Sequence, residues 1–393
     1  MDYKKPKLIK LLILVFLILF PFGQLLSLKK TLFGIDVNIL PIDFVAGTAW
    51  LIVLAGIKKR SQLLNSIIAV CLVFAFTYLI SVVLFGFPLV ARGSLYLIRF
   101  IAYLGFFYAV YLSVVKENDK KLLLKFLLTA CGLVAVFGWL QYLNYPDLRS
   151  LYYIGWDDHL FRLVGTYLDP GFTSLILVFG LIISLANYLK KKSSLYLILT
   201  AFFLISIAFT YARAAYLALV AGLFVLTKIK KSIYKIITIG FIFLILIAIL
   251  PRPEGYGVRL ERTHSIIAKF TNYSETLMIF KKQPLFGVGF NNICMARLIY
   301  LNDANPQSHA CNGSDSSLLF LLASSGVVGT VVFLRFLYGA YTEASDDLYG
   351  LVFRSSALAV CVHSLFVNSL FYPWVMGYLA ILMGISLKRQ RTP

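Results

Sequence analysis

Charge is scarce in this chain of 393 residues: Asp, Glu, Lys and Arg together make up 14%, against about 25% in a soluble domain. That shortage, with a mean hydropathy of +0.85, excludes a packed water-soluble globule. Acidic residues are scarcer still, 17 against 37 Lys and Arg. The basic excess sits mostly in short linkers between apolar runs, where it sets membrane topology rather than binding nucleic acid. A phosphate-cradling loop of the Gly-x-x-x-x-Gly-Lys-Ser/Thr type is missing, which argues against direct use of ATP. The four histidines, His159, His264, His309 and His363, show no metal-ligand spacing, and no Asp-x-Asp pair occurs. The two halves do not look alike, and few ionisable residues fall at mid-span, so the repeats and intramembrane charges common in transporters are wanting.

Apolar runs are what the chain has instead. A span needs about 20 mostly apolar residues, and such runs are expected at 9–28, 39–57, 63–86, 94–115, 122–143, 171–189, 195–211, 214–228, 233–250, 316–338, 349–367 and 370–387. The first follows a basic leader (Lys4, Lys5, Lys7, Lys10) without a small-residue cleavage site, and is expected to be a retained span. Twelve alternating spans put Lys58-Lys59-Arg60, Lys116 to Lys125, Lys190-Lys191-Lys192, Lys228 to Lys235, and Lys388 with Arg389 and Arg391 on the side of the N-terminus. The positive-inside rule makes that side cytoplasmic, with both termini there; Lys29 and Lys30 are the main exception. The expected organisation is therefore all-α and polytopic: nine spans in 1–250, one large outer segment at 251–314, and three spans with a cytoplasmic tail in 315–393.

The outer side receives 144–170, the tight turn Tyr211-Ala212-Arg213 and the long polar stretch 251–314. ATP is absent there, so a transfer reaction on that side needs a substrate activated inside and flipped across. Asn272 with Glu275 gives a capping-box-like start to a short helix over 272–283, which Pro284 and two glycines end. Cys71, Cys131 and Cys361 fall inside spans and read as small apolar residues, whereas Cys294 and Cys311 both lie in the outer stretch. A disulfide between these two would tether the loop carrying His309 to the segment after Gly289. Tyr152, Tyr153 and Trp156 suit either an interfacial aromatic belt or stacking on sugar rings.

Four outer segments resemble the bacterial O-antigen ligase and O-antigen polymerase superfamily. They are Arg162-Leu-Val-Gly-Thr-Tyr-Leu-Asp-Pro-Gly, Thr210-Tyr-Ala-Arg213-Ala-Ala-Tyr-Leu-Ala, Tyr273 through Pro284-Leu-Phe-Gly-Val-Gly289, and Asp315-Ser-Ser-Leu-Leu-Phe-Leu-Leu-Ala-Ser-Ser-Gly326-Val-Val-Gly329. The resemblance implies a fold like the glycosyltransferase-C type membrane proteins in the bacterial inner membrane. It also implies transfer of a glycan from polyprenyl pyrophosphate to a hydroxyl on a glycolipid or glycan acceptor at the periplasmic face. No cofactor or metal is implied. Arg162, Arg213, Arg259, Arg262 and Lys269 are candidates for holding the pyrophosphate, because fixed cations stabilise the charge that develops on the leaving group. Two departures stand out. Many relatives have Arg where this chain has Lys269, which lacks the bidentate fork; Arg259 or Arg262 offers one instead. Where ligases often carry His-Asn this chain has Asp315-Ser316, so the general base is either His309 or Asp315. Ligase, polymerase and protein O-glycosylation stay open, as does a lipid-linked precursor transporter. Each candidate also has a plainer role: Arg213 as a snorkelling residue, Arg162 in a surface ion pair, Lys269 solvated, His264 and His309 exposed in loops, and His363 packed in a span.

Overall fold

The computed structural model describes residues 6–32, 35–57, 61–154, 156–229, 232–253, 255–303, 311 and 313–388. They form fourteen α-helices joined by short turns, 3-10 segments and one β-hairpin. Six helical units are long and apolar enough to cross a membrane: α1 (Pro6–Leu19) with its 3-10 extension to Leu26, α3 (Gln62–Phe85), α4 (Phe87–Ser113), α5 (Glu117–Asn144), α6 (Pro170–Lys191) and α12 (Ser317–Thr342). Six more are apolar but shorter: α2 (Pro41–Gly56), α7 (Ser194–Ala208), α8 (Arg213–Leu226), α9 (Ile233–Ile249), α13 (Leu348–His363) and α14 (Pro373–Ser386). At 1.5 Å per residue the shorter set spans roughly 21–26 Å, less than the ~30 Å hydrocarbon core of a typical bilayer. The twelve apolar helices fall on the twelve expected runs. Each boundary has a local cause. Ser61, Asp169, Ser316 and Asp347 cap α3, α6, α12 and α13 through their side chains, and Pro41, Pro170 and Pro373 open α2, α6 and α14.

α6 is apolar on every side and almost wholly buried, so it forms the centre of the bundle, with α5, α7, α8 and α13 packed on it. α3 and α9 lie outside and keep Leu72, Val83, Phe241 and Leu244 exposed, as lipid-facing helices do. The expected start of the fourth span at residue 94 is corrected. Gly86 ends α3 at positive φ and Pro88 starts α4 at once, so α3 and α4 form a hairpin with a one-residue link. The stretch around Lys29 and Lys30 is the antiparallel hairpin of β1 (Leu28–Leu32) and β2 (Ile35–Ile39). It is held to α4 by Arg99, which donates to the Asn38 carbonyl (2.8 Å) and pairs with Asp43 (2.7 Å).

The two ends of the bundle differ. One end gathers Lys10–Asp119 (2.7 Å), Tyr349–Glu117 (2.7 Å), Arg354–Asp346 (3.3 Å) and Lys388–Asp346 (3.1 Å). The other, here called the loop end, gathers 145–169, the turn after α7, the turn 364–372 and the segment 251–303. There α10 (His264–Lys282) and α11 (Ile293–Leu301) lie against α12. α10 begins eight residues before the expected helix, which overturns the capping box at Asn272. That residue sits mid-helix, only 7% exposed, and its amide is used across to the next loop.

α12 is broken. Gly326 takes φ +63°, and into the break runs the segment Pro284 to Val288. Val288 N–H donates to Ala323 O (2.9 Å), Val327 N–H to Pro284 O (2.9 Å) and Val328 N–H to Leu285 O (3.2 Å). Gly287 and Gly326 make this possible: a Cβ on either would fall within 3.0 Å of the other segment's backbone. Irregular backbone at this depth is tolerated because protein, not lipid, covers it. The two most motif-like stretches of the sequence thus form one junction.

Candidate active site

The site is built around the turn between α7 and α8. Tyr211 holds positive φ (51°) with its ring buried, so the carbonyls of Thr210 and Tyr211 stay free of helix bonds and face the loop end. Leu163 N–H pairs with Phe209 O (2.9 Å), drawing the loop before α6 against this turn. Arg162 follows it in. Its guanidinium is buried and donates to Thr210 O (3.0 Å) and Tyr211 O (3.4 Å). The surface ion-pair reading of Arg162 is therefore corrected: the side chain points inward, because Leu163 on one side of it is locked to the turn.

Arg262 reaches the same turn from the long segment, donating to Tyr211 O (3.4 Å) as well as to Gly257 O and Arg259 O (both 2.8 Å). Arg213, the first residue of α8, donates to Leu260 O and Arg262 O (both 3.1 Å) and to Ser265 Oγ (2.8 Å) in the first turn of α10. Three guanidinium groups from three distant parts of the chain therefore converge. None of them forms an ion pair with a carboxylate among the described residues. Burial first and then repulsion by a neighbour lower the pKa of two of them. Burial and then the neighbouring Arg262 bring Arg162 down to about 10, and burial with Arg213 lowers Arg262 too. Arg259 is not part of the cluster: its side chain is exposed, and only its carbonyl meets Arg262.

Lys269 lies one helical turn beyond Ser265 on α10. Its ammonium donates to Phe366 O (2.6 Å) in the α13–α14 turn and stands 3.8 Å from Asp315 Oδ1. It is two-thirds buried on its side chain, so the solvated reading of Lys269 gives way to a bridging one. Asp315 is fixed from behind. Its N–H donates to Asn272 Oδ1 (2.8 Å), while Asn272 Nδ2 donates to Gly313 O (3.3 Å). His309 lies outside the described residues. The flanking Cys311 is joined to Cys294 of α11 in a disulfide, as expected, and so ties the end of that run to the same end of the bundle. His264 is exposed at the start of α10. Tyr152 and Tyr153 are exposed beside Asp147, Arg149 and Asp158, in a shallow depression away from the arginines.

Two groups escaped the sequence. His363 is buried as expected, but only its Nδ1 has a partner, Ser369 Oγ at 3.1 Å; Nε2 has none among the described residues. His159 is buried beside Arg162, also with Nε2 unpartnered, and burial followed by the charge of Arg162 pulls it down to about 4. The burial of His159, a loop histidine, leaves no periodic signal in the sequence.

The arrangement can do one thing well. It presents unneutralised, preorganised cations, a lysine and a polar rim next to apolar helices, which suits an anionic head group on a lipid. No curated protein matches the chain significantly. Residues 160–334 match the sequence pattern of the family described as O-antigen ligase, a stretch that contains all three clustered arginines, Lys269, Asp315 and the α12 junction. The match covers the middle of the chain and supports its resemblance to the O-antigen ligase and polymerase superfamily of membrane glycan transferases.

Proposed function

We propose that this protein transfers a glycan from a polyprenyl pyrophosphate to an acceptor hydroxyl, without a metal, with inversion, at the loop end of the bundle. Arg162, Arg213 and Arg262 hold the pyrophosphate, Lys269 extends the cationic rim, and Arg259 assists from the exposed side. The observation that carries this reading is the convergence of Arg162 and Arg262 on the Tyr211 turn, with Arg213 held to Arg262 O beside them and no ion-paired carboxylate among the described residues. A pyrophosphate gains negative charge as it leaves, and cations already in place stabilise that charge without reorganising. In this reading all twelve apolar helices cross the inner membrane, with both termini cytoplasmic and the loop end periplasmic, in a glycosyltransferase-C-like bundle divided at 250 and 315.

His309 is the proposed general base. Asp315 is the weaker candidate, because its carboxylate already serves Lys269. Between the family's activities we favour transfer of a finished chain to a glycolipid, with polymerisation of repeat units as the second reading, since the His-Asn pair of many ligases is replaced here by Asp315-Ser316. A precursor transporter gains one supporting feature, the break in α12. That break, however, is filled by the Pro284–Val288 backbone and opens no polar path.

The deciding experiment is the size profile of lipid-linked glycan in a host lacking the gene. Full-length chains stranded on the carrier are expected for a ligase, and single repeat units for a polymerase. Precursor confined to the inner leaflet and depleted from the outer one overturns both in favour of transport.

A further inference from the structure

An apolar cavity lies away from the arginines, between α12 and α13. It measures about 490 Å³, a volume typical of ligand pockets. α12 and α13 are consecutive helices, yet α13 packs on α8 and α6, leaving a groove between it and α12 that α4 and α14 floor. Its wall is apolar, with Phe107, Leu321, Phe336, Ala357, Cys361 and Met383 along it. Ser317, Ser364 and Leu365 line it near the loop end, and Tyr338 and Tyr341 line it near the opposite end. The lining residues of α12 run from Ser317 to Tyr341 on both sides of the break at Gly326, so the groove follows most of that helix.

The loop end of the groove is continuous with the cationic rim. Tyr273 Oη donates to Leu365 O (2.7 Å), Lys269 donates to Phe366 O, and Ser317 N–H donates to Ser364 O (2.8 Å). Along α10, Ser265, which Arg213 holds, is one turn from Lys269, a rise of roughly 6 Å. That spacing suits a pyrophosphate bridging the arginines and the lysine. We propose that the groove between α12 and α13 holds the isoprenoid chain of the donor lipid, with its pyrophosphate at the rim, and that it makes the enzyme select long-chain carriers.

The inference rests on the donor class proposed above and locates its tail. An amphiphile with an anionic head matches cations at one end and an apolar wall along the rest. A translocation path for the head would need polar groups along its length. The wall's hydroxyls instead lie toward its ends, apart from that of Tyr103, which is turned to Asp43. Because lipid is as apolar as the wall, the groove's share of the affinity comes from packing against the chain rather than from its transfer out of water.

The test compares undecaprenyl pyrophosphate with geranyl pyrophosphate, binding to the full chain in lipid nanodiscs. In the wild-type protein the long chain is expected to bind at least about 100-fold tighter, through its own partition into lipid as well as through the groove, so the groove's share is the part that filling it removes. Ala357→Trp, which fills the groove, is expected to cut that ratio about tenfold or more. Val83→Trp, on the lipid-facing side of α3, should leave it unchanged. An unaltered ratio in a folded Ala357→Trp protein overturns the groove assignment while leaving the head site intact. If neither pyrophosphate binds the wild type, the donor class falls, and the groove assignment with it. Should Ala357→Trp not fold, photolabelling of the wild type with an undecaprenyl pyrophosphate carrying a diazirine on its chain decides. Adducts on α12 and α13 facing the groove support the proposal. Adducts confined to other helices, or equal labelling there by a diazirine phospholipid, overturn it.

Discussion

The ammonium of Lys269 bridges Asp315 and the backbone of Phe366, so one side chain joins the segment after α9, the start of α12 and the α13–α14 turn. Asp315 is thereby a counterion and a brace. Asp315→Asn is expected to lower transfer activity only severalfold, chiefly through KM, whereas His309→Ala should lower kcat about 100-fold or more. Steady-state kinetics on lipid-linked donor separates the two. A collapse of kcat in Asp315→Asn with a mild His309→Ala phenotype reverses the assignment of the base.

Arg213 makes three charge-assisted hydrogen bonds to the stretch 260–265 that leads into α10. Arg213→Ala should cost about 100- to 1000-fold in rate if the cluster stabilises the leaving group. Arg213→Lys should recover little, because a point charge cannot serve the same fork of acceptors. Insertion and thermal stability are measured in parallel, and full activity of Arg213→Ala in folded protein removes the cluster from the mechanism.

Gly287→Ala and Gly326→Ala each place a Cβ against backbone, at φ +70° and +63° respectively. Each is expected to destabilise by about 1–3 kcal/mol or more. Fluorescence thermal melts in detergent should show both well below Gly240→Ala, whose added methyl meets nothing within 4 Å.

Reducing the Cys294–Cys311 disulfide frees Cys311 from α11. Activity is expected to fall on treatment with reductant and to return on reoxidation. Cys294→Ser with Cys311→Ser should be reduced in activity and insensitive to reductant. Unaltered turnover after verified reduction counts against a positioning role.

His159 sets a pH dependence. Its folded value near 4 lies below the ordinary histidine value of about 6.5. The unfolded chain therefore takes up the proton first. Stability from the neutral ring is complete above about pH 6.5 and is lost as pH falls toward about 4. His159→Phe should flatten the melting temperature over that window, and an unchanged slope refutes the assignment.

The apolar helices were legible because bilayer-length hydrophobic runs are a strong signal. Charge in the linkers matched the gathering of Lys10, Glu117, Asp119, Asp346 and Lys388 at one end. Of the arginines named from sequence, Arg162, Arg213 and Arg262 come together in the structure, whereas Arg259 is exposed. What sequence could not carry was direction and depth. Arg162 sits among acidic neighbours yet turns inward because Leu163 is pinned to Phe209. Asn272 resembles a cap yet sits mid-helix, since its amide is used on a loop forty residues away that no local pattern announces. The groove is a gap between helices, and each of its walls reads as an ordinary span.

The junction of Pro284–Val288 with the broken α12 also imposes an order on biosynthesis. Residues 284–288 leave the ribosome before 323–328, so the wedge is made before its socket. Until α12 follows, those backbone groups have only water for partners, and α12 arriving alone has no reason to bend in lipid. A ribosome-stalled chain ending before α12 should therefore leave the 284–292 stretch open to protease, and extension past α12 should close it. The last step of assembly is then a docking from the aqueous side, after the helices around it have entered the membrane.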